Sequence, residues 1–111
     1  MKHGYIGIAT DLHKKDSVWR FEDGDILVSE NGNSWKKIAY LLGINRLIFD
    51  FGNKNTVAAV LGYTDGSVLL SRDYGNTWKK VPMDQPVGHI AFAGNNIIVT
   101  TREGIFWRKL T

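Results

Sequence analysis

An internal repeat constrains this chain more than any other feature of its sequence. Residues 29–38 (SENGNSWKKI) recur as residues 71–81 (SRDYGNTWKKV), and the second copy is one residue longer within the turn. The serines that open the two copies lie 42 positions apart, and their tryptophans lie 43 apart. A repeat of this period indicates a fold assembled from similar supersecondary units.

The similarity extends upstream and recurs once more downstream. Residues 21–29 (FEDGDILVS) parallel residues 63–71 (YTDGSVLLS), so that each copy has the pattern strand, Asp-Gly turn, strand. Residues 101–107 (TREGIFW) repeat this pattern without a second turn, which makes the third copy incomplete. A length of 111 residues corresponds to one domain, since domains commonly have roughly 100 to 200 residues. We therefore expect a single domain over residues 1–111, with repeats at 4–43, 44–86 and, in part, 87–111.

The repeats are made of short β-branched and aromatic runs bounded by Gly, Asn and Asp, which are typical of strands and hairpins. Thirteen aromatic residues, twelve Gly and two Pro also favour an all-β chain with tight turns. One competing interpretation is a helix over residues 34–47, but the equivalent segment of the second repeat is too short and too β-rich for one. The predicted strands follow a pattern of four, four and three: 4–10, 17–21, 25–29, 34–40, 46–51, 56–63, 67–71, 77–81, 88–93, 97–101 and 104–109.

Four short strands in each unit of 40 to 50 residues are typical of a propeller blade. The two turns resemble the Asp-box, or bacterial neuraminidase repeat (BNR), Ser-x-Asp-x-Gly-x-Thr-Trp. The second turn matches every defined position, whereas the first has Asn in place of Asp and one residue fewer. The matching residues are Ser29, Asn31, Gly32, Ser34 and Trp35 in the first turn and Ser71, Asp73, Gly75, Thr77 and Trp78 in the second. The resemblance implies an all-β β-propeller fragment of two and three-quarter four-stranded blades, with each box between the third and fourth strands.

The box chemistry is expected to be structural. The carboxylate of Asp73 can accept hydrogen bonds from backbone N–H groups and from the Thr77 hydroxyl, and Gly75 permits a positive φ. Trp78 should then enter the apolar layer beneath the turn, and Trp35 should do the same in the first copy. The alternative is that Asp73 is a catalytic acid or a calcium ligand.

A catalytic site is not predicted. The resemblance to sialidases would imply an arginine triad, a tyrosine activated by a glutamate, an aspartic acid and an Arg-Ile-Pro segment, which this sequence lacks. Asp23 and Asp25 belong to a hairpin turn, where turn propensity explains them without acid–base chemistry. The histidines His3, His13 and His89 lack metal-ligand spacing, so neither a metal nor a cofactor is expected.

Two sets of residues remain as candidates for binding. Lys36, Lys37, Lys79 and Lys80 recur at one position of consecutive blades, and Arg108 continues this basic stripe. Such a stripe suits nucleic acid, but lysines also protect exposed edge strands from aggregation. The second set is Trp19 and Trp107, each of which either packs between blades or is exposed to a protein or carbohydrate partner.

Ring closure leads to a prediction about self-association. Propellers need about four to eight blades, so fewer than three would leave apolar faces in water. Two copies would complete a six-bladed ring, which predicts a homodimer. A higher oligomer and docking onto a larger propeller are the alternatives. The final strand would be an edge that residues 4–10 or a neighbouring chain could pair with.

The predicted function is therefore a non-enzymatic oligomeric scaffold or protein-interaction module. The alternatives are a glycan-binding, sialidase-like fragment and a nucleic-acid-binding protein that uses the lysine stripe. The sequence carries a formal charge of +3, has no Cys, and contains no recognisable signal peptide or membrane span. These features predict a cytoplasmic protein, and a phage or viral product inside a host cell fits them equally.

Overall fold

The computed structural model describes residues 5–14, 16–62, 67–83 and 85–110, and within these ranges it contains strands and no helix. The all-β class and the pattern of four, four and three strands are confirmed. The eleven strands are β1 Ile6–Thr10, β2 Val18–Glu22, β3 Asp25–Ser29, β4 Lys36–Tyr40, β5 Ile44–Phe49, β6 Val57–Leu61, β7 Val68–Ser71, β8 Lys79–Val81, β9 Ile90–Ala93, β10 Asn96–Thr101 and β11 Gly104–Lys109.

The alternative of a helix over residues 34–47 is wrong. β4 and β5 occupy this segment and are joined by a tight turn in which Gly43 has a φ of 82°. The observed strands β4 and β8 begin two residues later than the predicted strands 34–40 and 77–81, because the first two residues of each predicted strand belong to the preceding turn. Residue 4 and the Asp-Gly turn of the second repeat, at 63–66, lie outside the described residues.

The strands form three antiparallel sheets in which sequence neighbours are also spatial neighbours. Blade 1 has the order β1-β2-β3-β4, blade 2 the order β5-β6-β7-β8, and blade 3 the order β9-β10-β11. β1 packs beside β5, so the first strands of blades 1 and 2 are adjacent. Since side chains alternate along a strand, each blade has a rear face toward the preceding blade and a forward face toward the next.

Two apolar cores fill the two junctions between blades. The first core joins the forward face of blade 1 to the rear face of blade 2, and its fully buried members include Trp19, Ile26, Val57 and Ala59. The second core joins blade 2 to blade 3 and is made of the following buried residues: Ala58, Val60, Val68, Leu70, Val81, Val87, Ile97 and Val99. Blade 2 is therefore apolar on both faces, as a sheet packed between two others must be.

The hairpin of blade 3 differs from that of blade 1 in the position of its glycine. Gly104 pairs directly with Thr101, whereas Gly24 lies within the turn of the β2–β3 hairpin, with Glu22 and Asp25 as the flanking pair. Aligning the two hairpins by their pairs places Ile105 where Ile26 lies in blade 1. Ile105 and Trp107 thus lie on the forward face of blade 3, which no other described residue covers.

Candidate functional site

The turn at residues 71–78 is held together by the side chains of its sequence motif. Asp73 Oδ1 accepts hydrogen bonds from the Ser71 hydroxyl at 2.8 Å and the Thr77 N–H at 2.9 Å. The Thr77 hydroxyl donates to Asp73 Oδ2 at 2.5 Å, and the Gly75 N–H donates to Ser71 Oγ at 2.8 Å. The Thr77 hydroxyl above all, then the Thr77 N–H and the Ser71 hydroxyl, lower the pKa of Asp73 to about 2. This carboxylate is thus fixed in its charged form by its own turn.

The turn at residues 29–35 keeps the same arrangement with an amide in place of the carboxylate. Asn31 Oδ1 accepts hydrogen bonds from the Asn33 N–H at 2.8 Å and the Ser34 N–H at 2.9 Å. The Gly32 N–H donates to Ser29 Oγ at 2.7 Å, as Gly75 does in the second turn. An uncharged acceptor is therefore sufficient to organise the backbone.

The extra residue of the second turn links blade 2 to blade 1. This residue is Tyr74, whose ring lies 5.0 Å from that of Trp19, edge to face. Its hydroxyl is 2.7 Å from Ser17 Oγ, which belongs to blade 1. The same turn brings Gly75 against Trp19 and Ile38. Sequence reasoning did not identify this contact, although an aromatic residue inserted into one copy of a repeat was a usable signal.

The four tryptophans take different environments. Trp19 is fully buried at the first junction, 4.9 Å from the ring of Phe49, so its placement on a binding surface is wrong and the core alternative is confirmed. Trp78 is half-buried against the first core and donates its Nε1–H to the Gly75 carbonyl at 3.1 Å.

Trp35 departs from the expectation that it is buried like Trp78. It is half-buried beneath the Arg20 guanidinium, which lies 4.7 Å from its ring centre, and it is not part of the first core. Arg20 pairs with Ile8 and Leu27, which places it on the rear face of blade 1. No blade precedes this face in the described residues, whereas blade 1 covers the corresponding face of blade 2.

Trp107 is exposed within a single copy, with 64% of its surface accessible, so none of the described blades of this chain covers it. It lies on β11, which is an edge strand of its sheet. Within the described residues β11 pairs with β10 alone, so the suggested pairing of residues 4–10 with this last strand is not formed there, and residues 6–10 pair with β2 as β1.

The lysines lie on the fourth strands of blades 1 and 2, as the repeat predicted, but they do not form a uniform stripe. Lys37 forms an ion pair with Asp25 at 2.9 Å, and its equivalent in blade 2 is Lys80. At the equivalent of Asp25, blade 2 has the uncharged Ser67. Lys79, Lys80 and Arg108 line a cleft of about 400 Å³ between β8 and β11, together with Arg72 and Lys109.

Other kinds of site are not found in the part of the chain that the structure describes. There, no group of three or more His, Asp or Glu residues could hold a metal ion. None of the described residues belongs to a helix long and apolar enough to cross a membrane.

Comparisons with known proteins agree with this architecture. The chain is similar to a crystal structure of an ancestral GH74 enzyme, with a TM-score of 0.71 and 18% identity. The similarity covers 92% of this chain and 17% of that enzyme, so it concerns the fold of a small part of the larger protein. No curated protein matches the sequence at a significant level. Residues 8–100 match the family described as the DUF6242 beta propeller domain. The chain therefore belongs to the DUF6242 beta-propeller family.

Proposed function

We propose that this chain is a non-enzymatic Asp-box propeller protein that acts as an oligomeric scaffold or interaction module. The Asp-box assignment is supported by the two turns, which lie between the third and fourth strands of blades 1 and 2. It is also supported by the bonds that Asp73 and Asn31 accept within these turns. The likeness to a GH74 enzyme at 18% identity concerns the fold and carries no activity to this chain.

The observation that carries the oligomeric proposal is the apolar surface on the two outward faces. On the rear face of blade 1, Ile6 and Ile8 are 71% and 73% exposed. On the forward face of blade 3, Ile105 and Trp107 are 67% and 64% exposed. Residues at the equivalent positions of the closed junctions, such as Val28 and Leu70, are at most 8% exposed.

A second copy of the chain suits these faces because each is one half of a blade junction. Apolar patches of more than a few hundred Å² are uncommon on soluble monomers. A two-fold axis along the propeller axis would place blade 3 of each copy against blade 1 of the other. Both outward faces of each copy would then be covered by the other copy, and the six blades would form a closed ring.

The mass in solution tests this proposal. We expect light scattering to give about 25 kDa, twice the chain mass of 12.5 kDa. Replacing Ile105 and Trp107 with Asp should yield the 12.5 kDa species, since two charges would enter the apolar junction. Leu42→Asp is the control, because Leu42 is 66% exposed in the turn between β4 and β5, away from both faces. A monomeric wild-type chain, or a dimer that survives both substitutions, would contradict the proposal.

A further inference from the structure

The cleft between β8 and β11 has an apolar floor and basic walls. Leu70 and Val81 of blade 2 and Leu110 after β11 belong to the second core and form its floor. Lys79 pairs with Leu70, so its side chain lies on the forward face of blade 2, toward blade 3. Arg108 pairs with the buried Ile97 and faces blade 2 from the other side.

The cleft exists because blade 3 has three strands in the described part of the chain. β3 and β7 each carry a fourth strand on their outer edge, whereas β11 pairs with β10 alone. At the first junction, the turn at residues 71–78 fills the space that corresponds to the cleft, and Gly75 of this turn contacts Trp19 and Ile38. The edge of β11 therefore lies beside the cleft with its backbone groups available for pairing.

The charge of the cleft is not neutralised. Arg72, Lys79 and Arg108 are exposed, and within the described ranges none of them has an ion-pair partner. Of the described residues that line the cleft, none is acidic. Lys80 also differs from its equivalent Lys37, which is paired with Asp25, because blade 2 has Ser67 at the position of Asp25.

We propose that this cleft binds an extended acidic peptide segment, which adds to β11 as the fourth strand of blade 3. Backbone hydrogen bonds to β11 would provide affinity, as in strand addition to other sheet edges. Alternate side chains of the peptide would face the cleft. The carboxylates of these side chains would meet Lys79 and Arg108, and the methylene groups of the same side chains would cover Leu70 and Val81. The free strand edge and the apolar floor favour a peptide over nucleic acid, which needs neither. The cleft faces blade 2 on the side of β11 that carries Arg108, whereas Ile105 and Trp107, which would close a ring, lie on the opposite face of the same strand.

A labelled six-residue peptide of alternating Glu and Val, equal in length to β11, tests the proposal by fluorescence anisotropy. We expect saturable binding that weakens as salt is added. The double variant Lys79→Ala with Arg108→Ala should weaken binding roughly tenfold, because each exposed charge pair contributes only a few-fold. The matched control is Lys36→Ala with Lys37→Ala, which removes the same charge from blade 1 and should leave the affinity unchanged.

Two further probes separate strand addition from general attraction between charges. A peptide with N-methyl groups on alternate amides keeps its charge but cannot pair with β11, so it should lose binding. An oligothymidine of equal charge should bind more weakly than the unmodified peptide. The proposal is overturned by equal binding of the N-methylated peptide, by tighter binding of the oligothymidine, by equal loss in the two double variants, or by no peptide binding. The solution mass, measured on the same samples, reports on ring closure separately.

Discussion

Alanine substitution of the two turn glycines measures how much the second turn contributes to the junction between blades. Gly32 and Gly75 are equivalent and have φ values of 81° and 87°. Alanine in this region costs about 1 to 2 kcal/mol of backbone energy at either site. A Cβ at Gly32 would meet nothing within 4 Å, whereas one at Gly75 would lie 2.7 Å from Trp19 Cη2 and 3.0 Å from Ile38 Cδ1.

Trp19 cannot easily move away, because Phe49 and Tyr74 pack against its ring. Overpacking of this kind costs a further 1 to 3 kcal/mol, roughly, so Gly75→Ala should destabilise the chain more than Gly32→Ala by about that amount. Urea unfolding followed by circular dichroism gives both free energies of unfolding. Equal destabilisation by the two substitutions would refute the reasoning, since the backbone cost is common and only the contact differs.

Five other substitutions, including Tyr40→Phe as a control, probe the first junction and the turns at residues 29–35 and 71–78. Trp19→Ala should destabilise the fold by about 3 to 5 kcal/mol in urea unfolding, whereas Trp35→Ala, which loses a half-buried ring beneath Arg20, should cost about 1 kcal/mol. Tyr74→Phe removes the hydroxyl bonded to Ser17 and should cost about 1 kcal/mol, while Tyr40→Phe, at an exposed ring, should change stability by less than about 0.5 kcal/mol. At pH values above 3.8, the ordinary pKa of Asp, Asp73→Asn should lower the stability of the fold. The folded-state pKa of Asp73 is lowered to about 2, so the stabilisation by its charged form is lost as the pH falls from 3.8 through about 2. Thermal unfolding from pH 7 to pH 2 should therefore show the wild-type and Asp73→Asn curves converging, and a constant difference would contradict the assigned pKa.

The strands and their order were predictable because each repeat encodes its own local structure. Alternation of apolar residues and the Asp-Gly turns predicted β2, β3, β6 and β7 without any knowledge of tertiary contacts. The repeat also argued against a helix over residues 34–47, which residue composition alone favoured in part. Comparison of equivalent positions in the two repeats thus favoured strand over helix where the segment alone was ambiguous.

Contacts between blades were less predictable, because they depend on which face a neighbour covers. Trp35 and Trp78 occupy equivalent positions, yet only Trp78 packs against a core, since blade 1 lies against the rear face of blade 2. Whether Trp19 and Trp107 are buried or exposed could not be decided from the sequence for the same reason. The basic cleft was predicted only in part: Arg72 was not among the predicted residues, and Arg108 meets Lys79 only through the packing of blade 3 on blade 2.

In the proposed ring, the forward face of blade 3 meets the rear face of blade 1 of a second copy. Ile98 in blade 3 is equivalent to Trp19 in blade 1, and Thr10 in blade 1 is equivalent to Phe49 in blade 2. At the closed junction, the rings of Trp19 and Phe49 are 4.9 Å apart. The chain has no Cys, so Thr10→Cys and Ile98→Cys variants each carry one thiol.

Cross-linking of the mixed variants with a short bismaleimide is the most direct measurement of this contact. We expect a covalent species of about 25 kDa, twice the chain mass of 12.5 kDa, that joins one variant to the other. Each variant alone should remain uncross-linked, because like faces do not meet in such a ring. Absence of the mixed species, or efficient cross-linking of either variant to itself, would contradict the account.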